Sequence, residues 1–433
     1  MTSQLIRVLL SAFSRISPGS TVRGTLGTRR DFLSIAGAAS IFATNRGFQS
    51  PTLFAQTLPC GIEATDYGLL PGLIYLNTGS AGPTPRAVLE KTIEAWALLE
   101  TNPVLQEYST NGVFGQAEKV RQQAASFLGC TSDELLLTRS TSEAMNTVAQ
   151  GTRLKTGDRV LTTDQEHAGG SDCWRYLAER RGIVIDKVVV PQGERDPQAL
   201  VQRFADGIRP DTRVISVSHV LYTTGLRMPV TDISALARSH KILCVVDGAQ
   251  AAGATPIDVK AIGCHAYATN AHKWLMGPKG VGMLYVSSDA VEDIKPIQWT
   301  GGRKYIDNSV GAGPLPLVVG LGAALETANR RGVAKIEEHN LALRQRAYQG
   351  LSQIAAVKMM SLPSGPLTSA LLSVAFPPDR DSHTLQLKLH DKYQIVTRHI
   401  GEQPFNGLRI SPHIFNTEAD IDAFIAALRV ELS

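Results

Sequence analysis

Ile242-Leu243-Cys244-Val245-Val246-Asp247-Gly248-Ala249-Gln250 is an unbroken apolar run that ends on a carboxylate, a glycine and an amide. A strand wetted on one face alternates apolar and polar residues. Five consecutive apolar residues instead demand cover on both faces, the condition of a parallel strand held between helical layers. Six other short runs share this character: Leu135-Leu137, Arg159-Thr163, Val184-Val190, Val214-Ser218, Ala266-Thr269 and Gly282-Val286. Helical patterns fill the intervals, at Ser142-Gln150, Gly170-Arg181, Pro197-Asp206 and Ile233-His240. This alternation predicts an α/β fold with a seven-stranded, mostly parallel sheet, and a ligand site beyond the carboxyl ends of its strands.

Further along, Gly311-Ala312-Gly313-Pro314-Leu315-Pro316 precedes a long helical pattern from Leu317 to about Ile354. That pattern leads into a smaller C-terminal α+β domain, with strands at Leu371-Phe376, Gln394-Thr397 and Leu408-Ser411 and a closing helix at Thr417-Leu428. The expected divisions are a leader over 1–56, a large cofactor-binding domain over 57–335 and a small domain over 336–433. No G-x-G-x-x-G fingerprint follows the first strand, which weakens a dinucleotide reading.

The chemistry-bearing residues fall at the ends of the apolar runs. Ala268-Thr269-Asn270-Ala271-His272-Lys273-Trp274 sets a lysine behind a short polar turn. A lysine attacks an aldehyde only when its amine is partly neutral, which takes desolvation or a nearby positive group. His272 and the apolar Trp274-Leu275-Met276 supply parts of that environment, and the pattern points to pyridoxal 5'-phosphate. Asp247 ends the most apolar strand, where an acid needs a positive partner, and a pyridinium nitrogen is one. Gln250 is positioned to donate to the phenolic oxygen of such a ring. Ser140-Thr141-Ser142 opens a helix, where hydroxyls and free N–H groups form an anion site. His167, in Glu166-His167-Ala168, offers an imidazole that could lie on an aromatic ring. Each piece alone has a plainer reading, as a helix cap, an Asp-Gly turn or a structural histidine.

Together, from Tyr75-Leu76-Asn77 to Asp420-Ile421-Asp422, these pieces resemble the class V aminotransferase family of fold-type I pyridoxal-phosphate enzymes. The resemblance implies Lys273 as the Schiff-base lysine, Asp247 as the pyridine-nitrogen partner, Gln250 as the phenolic-oxygen partner and His167 as the ring-stacking residue. Thr141, Ser142, Asn270 and His272 match positions that hold the phosphate, with Asn270 in place of the usual serine. Thr300, in Trp299-Thr300-Gly301-Gly302, matches a residue lent to the neighbouring subunit's phosphate, so the resemblance implies a homodimer with shared active sites. Arg409 matches the arginine that holds a substrate α-carboxylate, and Arg398 a more variable position before it. His219 stands where many relatives carry asparagine.

Cysteine desulfurases of the family carry a cysteine in the loop that here reads His399-Ile400-Gly401-Glu402-Gln403-Pro404-Phe405, which has none. The Lys273 and His219 segments look closer to the isopenicillin-N-epimerase-like branch, whose members epimerise, eliminate at Cβ or transfer an amino group. A small-molecule amino acid substrate follows. Desulfurase or C–S lyase-like activity and a non-catalytic cofactor-binding scaffold are the alternatives.

Composition narrows the classes further. In 433 residues, 43% are hydrophobic and 19% charged, which excludes fibrous and disordered chains. A net charge of +4 with no basic run between aromatics gives no support to nucleic-acid binding. Five cysteines without C-x-x-C spacing indicate neither a metal site nor a disulfide framework. Thr28-Arg29-Arg30-Asp31-Phe32-Leu33 and the mild apolar run that follows resemble a twin-arginine export signal, with cleavage near Ala55. The expected location is therefore extracytoplasmic, by the twin-arginine machinery, with a cytoplasmic protein as the alternative.

Overall fold

The computed structural model describes residues 66–297, 313–401 and 405–433. The leader with Arg29 and Arg30, and Thr300, lie outside the described residues. Thirteen strands are described: β1 (Ile74–Tyr75), β2 (Leu135–Thr138), β3 (Arg159–Thr163), β4 (Val184–Val188), β5 (Thr212–Ser218), β6 (Leu243–Asp247), β7 (Ala266–Asn270), β8 (Gly282–Val286), β9 (Lys358–Met359), β10 (Leu372–Ala375), β11 (Ile395–Val396), β12 (Arg398–Ile400) and β13 (Gly407–Ile410).

Seven of them form one sheet in the order β2-β8-β7-β6-β5-β3-β4. β8 runs antiparallel to both β2 and β7, and every other neighbouring pair is parallel. All seven expected strands are present, with Val184–Val188 ending two residues short of the expected Val190.

Both faces of the sheet are covered, as the apolar runs require. Ile215, Val217, Cys244, Val246, Tyr267, Met283 and Tyr285 belong to one core, while Val214, Val245, Ala266, Ala268, Leu284 and Val286 belong to the core on the other face. Alternate residues of β5 to β8 thus point to opposite sides, the period-two consequence of strand geometry. Thr163, Ser218, Asp247 and Asn270 are the last residues of β3, β5, β6 and β7, and they share one edge. The helices Thr141–Gly151 and Ala168–Arg181 begin at that edge. Strand order reverses between β3 and β5, since β4 continues to one side and β6 and β7 to the other, and such a reversal opens a crevice.

The C-terminal part builds a four-stranded antiparallel sheet, β12-β13-β10-β9. Its core, which includes Leu343, Leu372, Leu408 and Phe424, is completed from far upstream by Leu76. The link is β1, which pairs in parallel with β11, and Asn77, which bridges to Ser411. Residues 77–80 are carried by this pairing to the mouth of the crevice.

The long helical pattern of 317–354 is corrected by the structure. It is two helices, Leu315–Arg331 and Val333–Leu351, broken at Gly332, whose φ of +78° only glycine adopts cheaply. The apolar period runs on across the break, so periodicity alone did not reveal it. β9, β12 and the helices Arg86–Leu99, Pro103–Tyr108 and Val113–Leu128 were also not anticipated. No helix among the described residues is long and apolar enough to cross a membrane.

Candidate active site

A cavity of about 260 Å³ opens at the carboxyl edge of the sheet. Thr141, Ser142, His167, Asp247, Gln250, Asn270, His272, Lys273, Arg398 and Arg409 all line it. Those are ten of the eleven candidates read from the sequence, and the eleventh, Thr300, is not among the described residues. Gly79, Ser80, Ser140, Ser218, Val220 and Tyr222 complete much of the wall. Ser80 and Gly79 were missed because β1, which brings them here, is two residues long and pairs with a strand more than 300 residues away.

Lys273 sits on a turn held from three sides. Gly82 N–H donates to the His272 carbonyl at 2.7 Å, Met276 N–H to the Lys273 carbonyl at 3.0 Å, and His413 Nε2–H to the Trp274 carbonyl at 2.7 Å. Trp274, Leu275 and Met276 are buried, and Met276 takes a φ of +54° to close the turn. Gly253, at φ +88°, permits the close approach: a Cβ there would lie 2.5 Å from Leu275 N. Burial pushes the Lys273 amine down to about 8; Asp247 raises it, and Arg409 and Arg398 lower it. A usable fraction of the amine, roughly one in ten at pH 7, is therefore neutral, as attack on an aldehyde requires.

Asp247 is buried, and burial raises its carboxyl above the usual range, opposed by the Ala249 N–H at 2.9 Å and by Lys273. Its Oδ2 stays uncovered only because residue 170 lacks a side chain: a Cβ at Gly170 would lie 2.3 Å from it. Gly169 does the same for Ser142, where a Cβ would lie 2.6 Å from Oγ.

At the start of the helix Thr141–Gly151, Ser140 Oγ accepts from Glu143 N–H at 3.1 Å. The N–H groups of Thr141 and Ser142 have no partner within the helix, and the helix dipole adds positive potential. Asn270 Nδ2 donates to Thr141 Oγ1 at 3.0 Å and to the Ala249 carbonyl at 3.3 Å. With its lone pair engaged, the Thr141 hydroxyl keeps its proton to donate to an anion. Asn270 thus acts on Thr141 rather than by direct donation.

Gln250 is tied more tightly than the sequence suggested. Its Nε2 donates to the Gly79 carbonyl at 2.8 Å and its Oε1 accepts from Trp274 Nε1 at 2.8 Å, leaving one amide proton for a ligand. The His167 ring meets Tyr222 edge-on, with centroids 4.8 Å apart, and its Nδ1 accepts from Gly169 N–H at 3.0 Å. Burial, then Lys273, Arg398 and Arg409, lower His167 to about 4, so it is neutral. Burial and Lys273 likewise lower His272 to about 4.

His219 is not part of the wall. Its Nδ1 lies 2.9 Å from the Tyr267 hydroxyl, its N–H donates to the Asp247 carbonyl at 2.8 Å, and burial lowers it to about 3. It braces the strand end that carries Asp247. His413, which holds the lysine turn, was not a candidate, because no local pattern links it to residue 274.

Arg409 is 2% exposed. Its Nη1 donates to the Tyr222 carbonyl at 3.1 Å and its Nη2 to Ser80 Oγ at 3.0 Å, while Nε is buried with no partner. Burial and Arg398 lower it to about 9. A buried guanidinium without a carboxylate is costly unless an anionic ligand joins it.

A sheet edge carrying a desolvated lysine, a buried acid, a helix-start anion cradle and an unpaired buried arginine defines a cofactor-dependent enzyme of amino acids. Residues 74–424 match the family model Aminotransferase class-V, and the chain belongs to that family. The isopenicillin N epimerase of Streptomyces clavuligerus is 28% identical over 383 residues, covering 83% of this chain and 94% of its own. A probable cysteine desulfurase of Methanothermobacter thermautotrophicus is 30% identical over 313 residues, covering 69% and 77%. Among solved structures, the complex of the cystine C–S lyase with its reaction product, cysteine persulfide, superposes with a TM-score of 0.76 at 25% identity, covering 83% of this chain and 98% of that one. The fold is that of fold-type I pyridoxal-phosphate enzymes, and the cofactor is pyridoxal 5'-phosphate. The uncovered Asp247 Oδ2, the free N–H groups at 141 and 142 and the neutral fraction of Lys273 fit that group.

Proposed function

We infer that this chain acts at Cα of an amino acid by epimerisation, β-elimination or amino transfer, in the manner of the isopenicillin-N-epimerase-like branch, and without an enzyme-borne persulfide. Lys273 would hold the cofactor, Asp247 its ring nitrogen, Gln250 its phenolic oxygen, His167 its ring face, and Thr141 and Ser142, with Asn270 and His272 behind them, its phosphate. The bound cofactor supplies an electron sink for the pair released at Cα. Arg409 orients the α-carboxylate, and the freed Lys273 amine takes the Cα proton. Tyr222, in the same wall, is the candidate second proton donor that epimerisation needs.

The observation that carries the reading against sulfur relay is the state of the thiols. Of the four cysteines among the described residues, Cys173, Cys244 and Cys264 are buried and Cys130 half-buried, and none lines the cavity; Cys60 lies outside the described residues. Burial pushes Cys130 and Cys173 up to about 12 and Cys244 to about 11, far from the thiolate that a nucleophile requires. The test is product analysis over a panel of L-amino acids with and without a keto acid acceptor, on wild type and Lys273→Ala. Inverted, deaminated or transaminated products, all lost with the visible absorbance in Lys273→Ala, support the reading. Stoichiometric alanine with a protein persulfide overturns it.

A homodimer is part of the proposal. Leu89, Ile93 and Trp96 are 50%, 57% and 47% exposed at helical spacing, and Val104, Leu105 and Tyr108 extend the apolar face. Ile93→Glu is expected to yield monomers in sedimentation and to lose activity. Export by the twin-arginine route is proposed from Arg29 and Arg30. Changing both to lysine is expected to hold the protein in the cytoplasm.

A further inference from the structure

The cavity has more positive charge than one amino acid can neutralise. β12 and β13 run antiparallel with Arg398 directly opposite Arg409, so both side chains leave the same face of the sheet, and both line the cavity. Like charges directly opposite on one sheet face destabilise it, so the pair needs a reason. Neither guanidinium has a carboxylate partner among the described residues. Among the described residues the one acid in the cavity wall is Asp247, at the end of the central strand of the large sheet, next to the Lys273 amine.

Arg409 spends part of its fork on the Tyr222 carbonyl and Ser80, and keeps Nε unpartnered and buried. One α-carboxylate suffices for it. Arg398 is the outer member, exposed at the mouth, with no side-chain hydrogen bond among the described residues. A seated cofactor would engage Asp247 through its ring nitrogen and the helix start at Thr141 through its phosphate, so neither that carboxylate nor that phosphate would be left to Arg398.

We propose that the substrate carries a second anionic group on its side chain, a carboxylate or sulfur oxyacid, which Arg398 binds while Arg409 holds the α-carboxylate. Side chains directly opposite on an antiparallel pair leave the sheet about 5 Å apart at Cβ, so the two guanidinium groups can reach acid groups separated by a short carbon chain. The substrate class is therefore the acidic amino acids of four or five carbons and their sulfur analogues. A bidentate guanidinium contact gives directional selectivity for such groups over amides. This assignment rests on the reading of Lys273 as the cofactor lysine.

The test uses the holoenzyme and two inert ligands, succinate and its monoamide succinamate, which differ in one acid group. Calorimetry is expected to show succinate bound at least tenfold more tightly in wild type. In Arg398→Met the ratio should fall to about one, and Arg398→Lys should restore part of it. The same ratio is expected in kcat/KM for L-aspartate against L-asparagine. A wild-type ratio near one, or a tenfold ratio that survives in Arg398→Met, overturns the proposal. Failure of the cofactor reading looks different: no visible absorbance and no adduct at Lys273, whatever the succinate ratio.

Discussion

The amine of Lys273 should titrate near pH 8 in the apoprotein, and that value can be measured by its reaction with the cofactor. An ordinary lysine ionises at 10.5, and here burial brings the group to about 8. At pH 7 roughly one amine in ten is then neutral, against about 0.03% at the ordinary value, a difference of about 300-fold or roughly 3 kcal/mol. Apoprotein would be mixed with pyridoxal phosphate between pH 6 and 11, reduced with borohydride at intervals, and the Lys273 peptide quantified. The rate is expected to rise about tenfold per pH unit up to 8 and then level off. Arg409→Met, which removes a cation that lowers the amine, should move the inflection upwards. Because the folded-state value is depressed, the ammonium destabilises the fold below pH 8, and the penalty fades as pH rises from 8 towards 10.5. Apo Lys273→Met should therefore unfold later than wild type at pH 7, by at most roughly 3 kcal/mol, part of it offset as Asp247 loses its cation. By pH 10.5 that advantage should shrink. An inflection above pH 10, or a downward shift in Arg409→Met, would refute the desolvation argument.

Gly170→Ala places a Cβ 2.3 Å from Asp247 Oδ2; turnover should drop at least a hundredfold while circular dichroism stays unchanged, and an active variant would mean that the carboxylate is not confined there. Asp247→Asn should retain part of its cofactor by absorbance yet lose most turnover, since an amide cannot hold a ring nitrogen protonated. His413→Ala removes the donor to the Trp274 carbonyl and leaves a buried cavity, which should cost about 3 kcal/mol in denaturant unfolding and loosen cofactor retention in dialysis. Unchanged stability in that variant would show that the lysine turn needs no support from the C-terminal part.

Much of this architecture was legible along the chain. The seven sheet strands announced themselves because a strand covered on both faces must be apolar throughout, and runs such as Leu243–Val246 are too short to be helices. Lys273, Asp247 and Thr141 were legible because each stands at the end of such a run, where a doubly covered sheet exposes its edge. The order of the strands, and hence the crevice between β3 and β5, was not, because neighbours in the sheet are chosen by packing across the whole chain. Periodicity also passed over Gly332, whose effect is a backbone angle rather than a change of polarity. The roles of Ser80, His413 and His219 depended on contacts spanning 139 to 329 residues or on which way a buried ring turned, and no local pattern encodes those. The opposition of Arg398 and Arg409 is the clearest case. They stand eleven positions apart in sequence, where Arg409 was legible by resemblance as a carboxylate-binding residue and Arg398 only as a more variable position, and it is the antiparallel register of β12 and β13 that sets them side by side over the cavity, where their charge becomes a statement about the substrate.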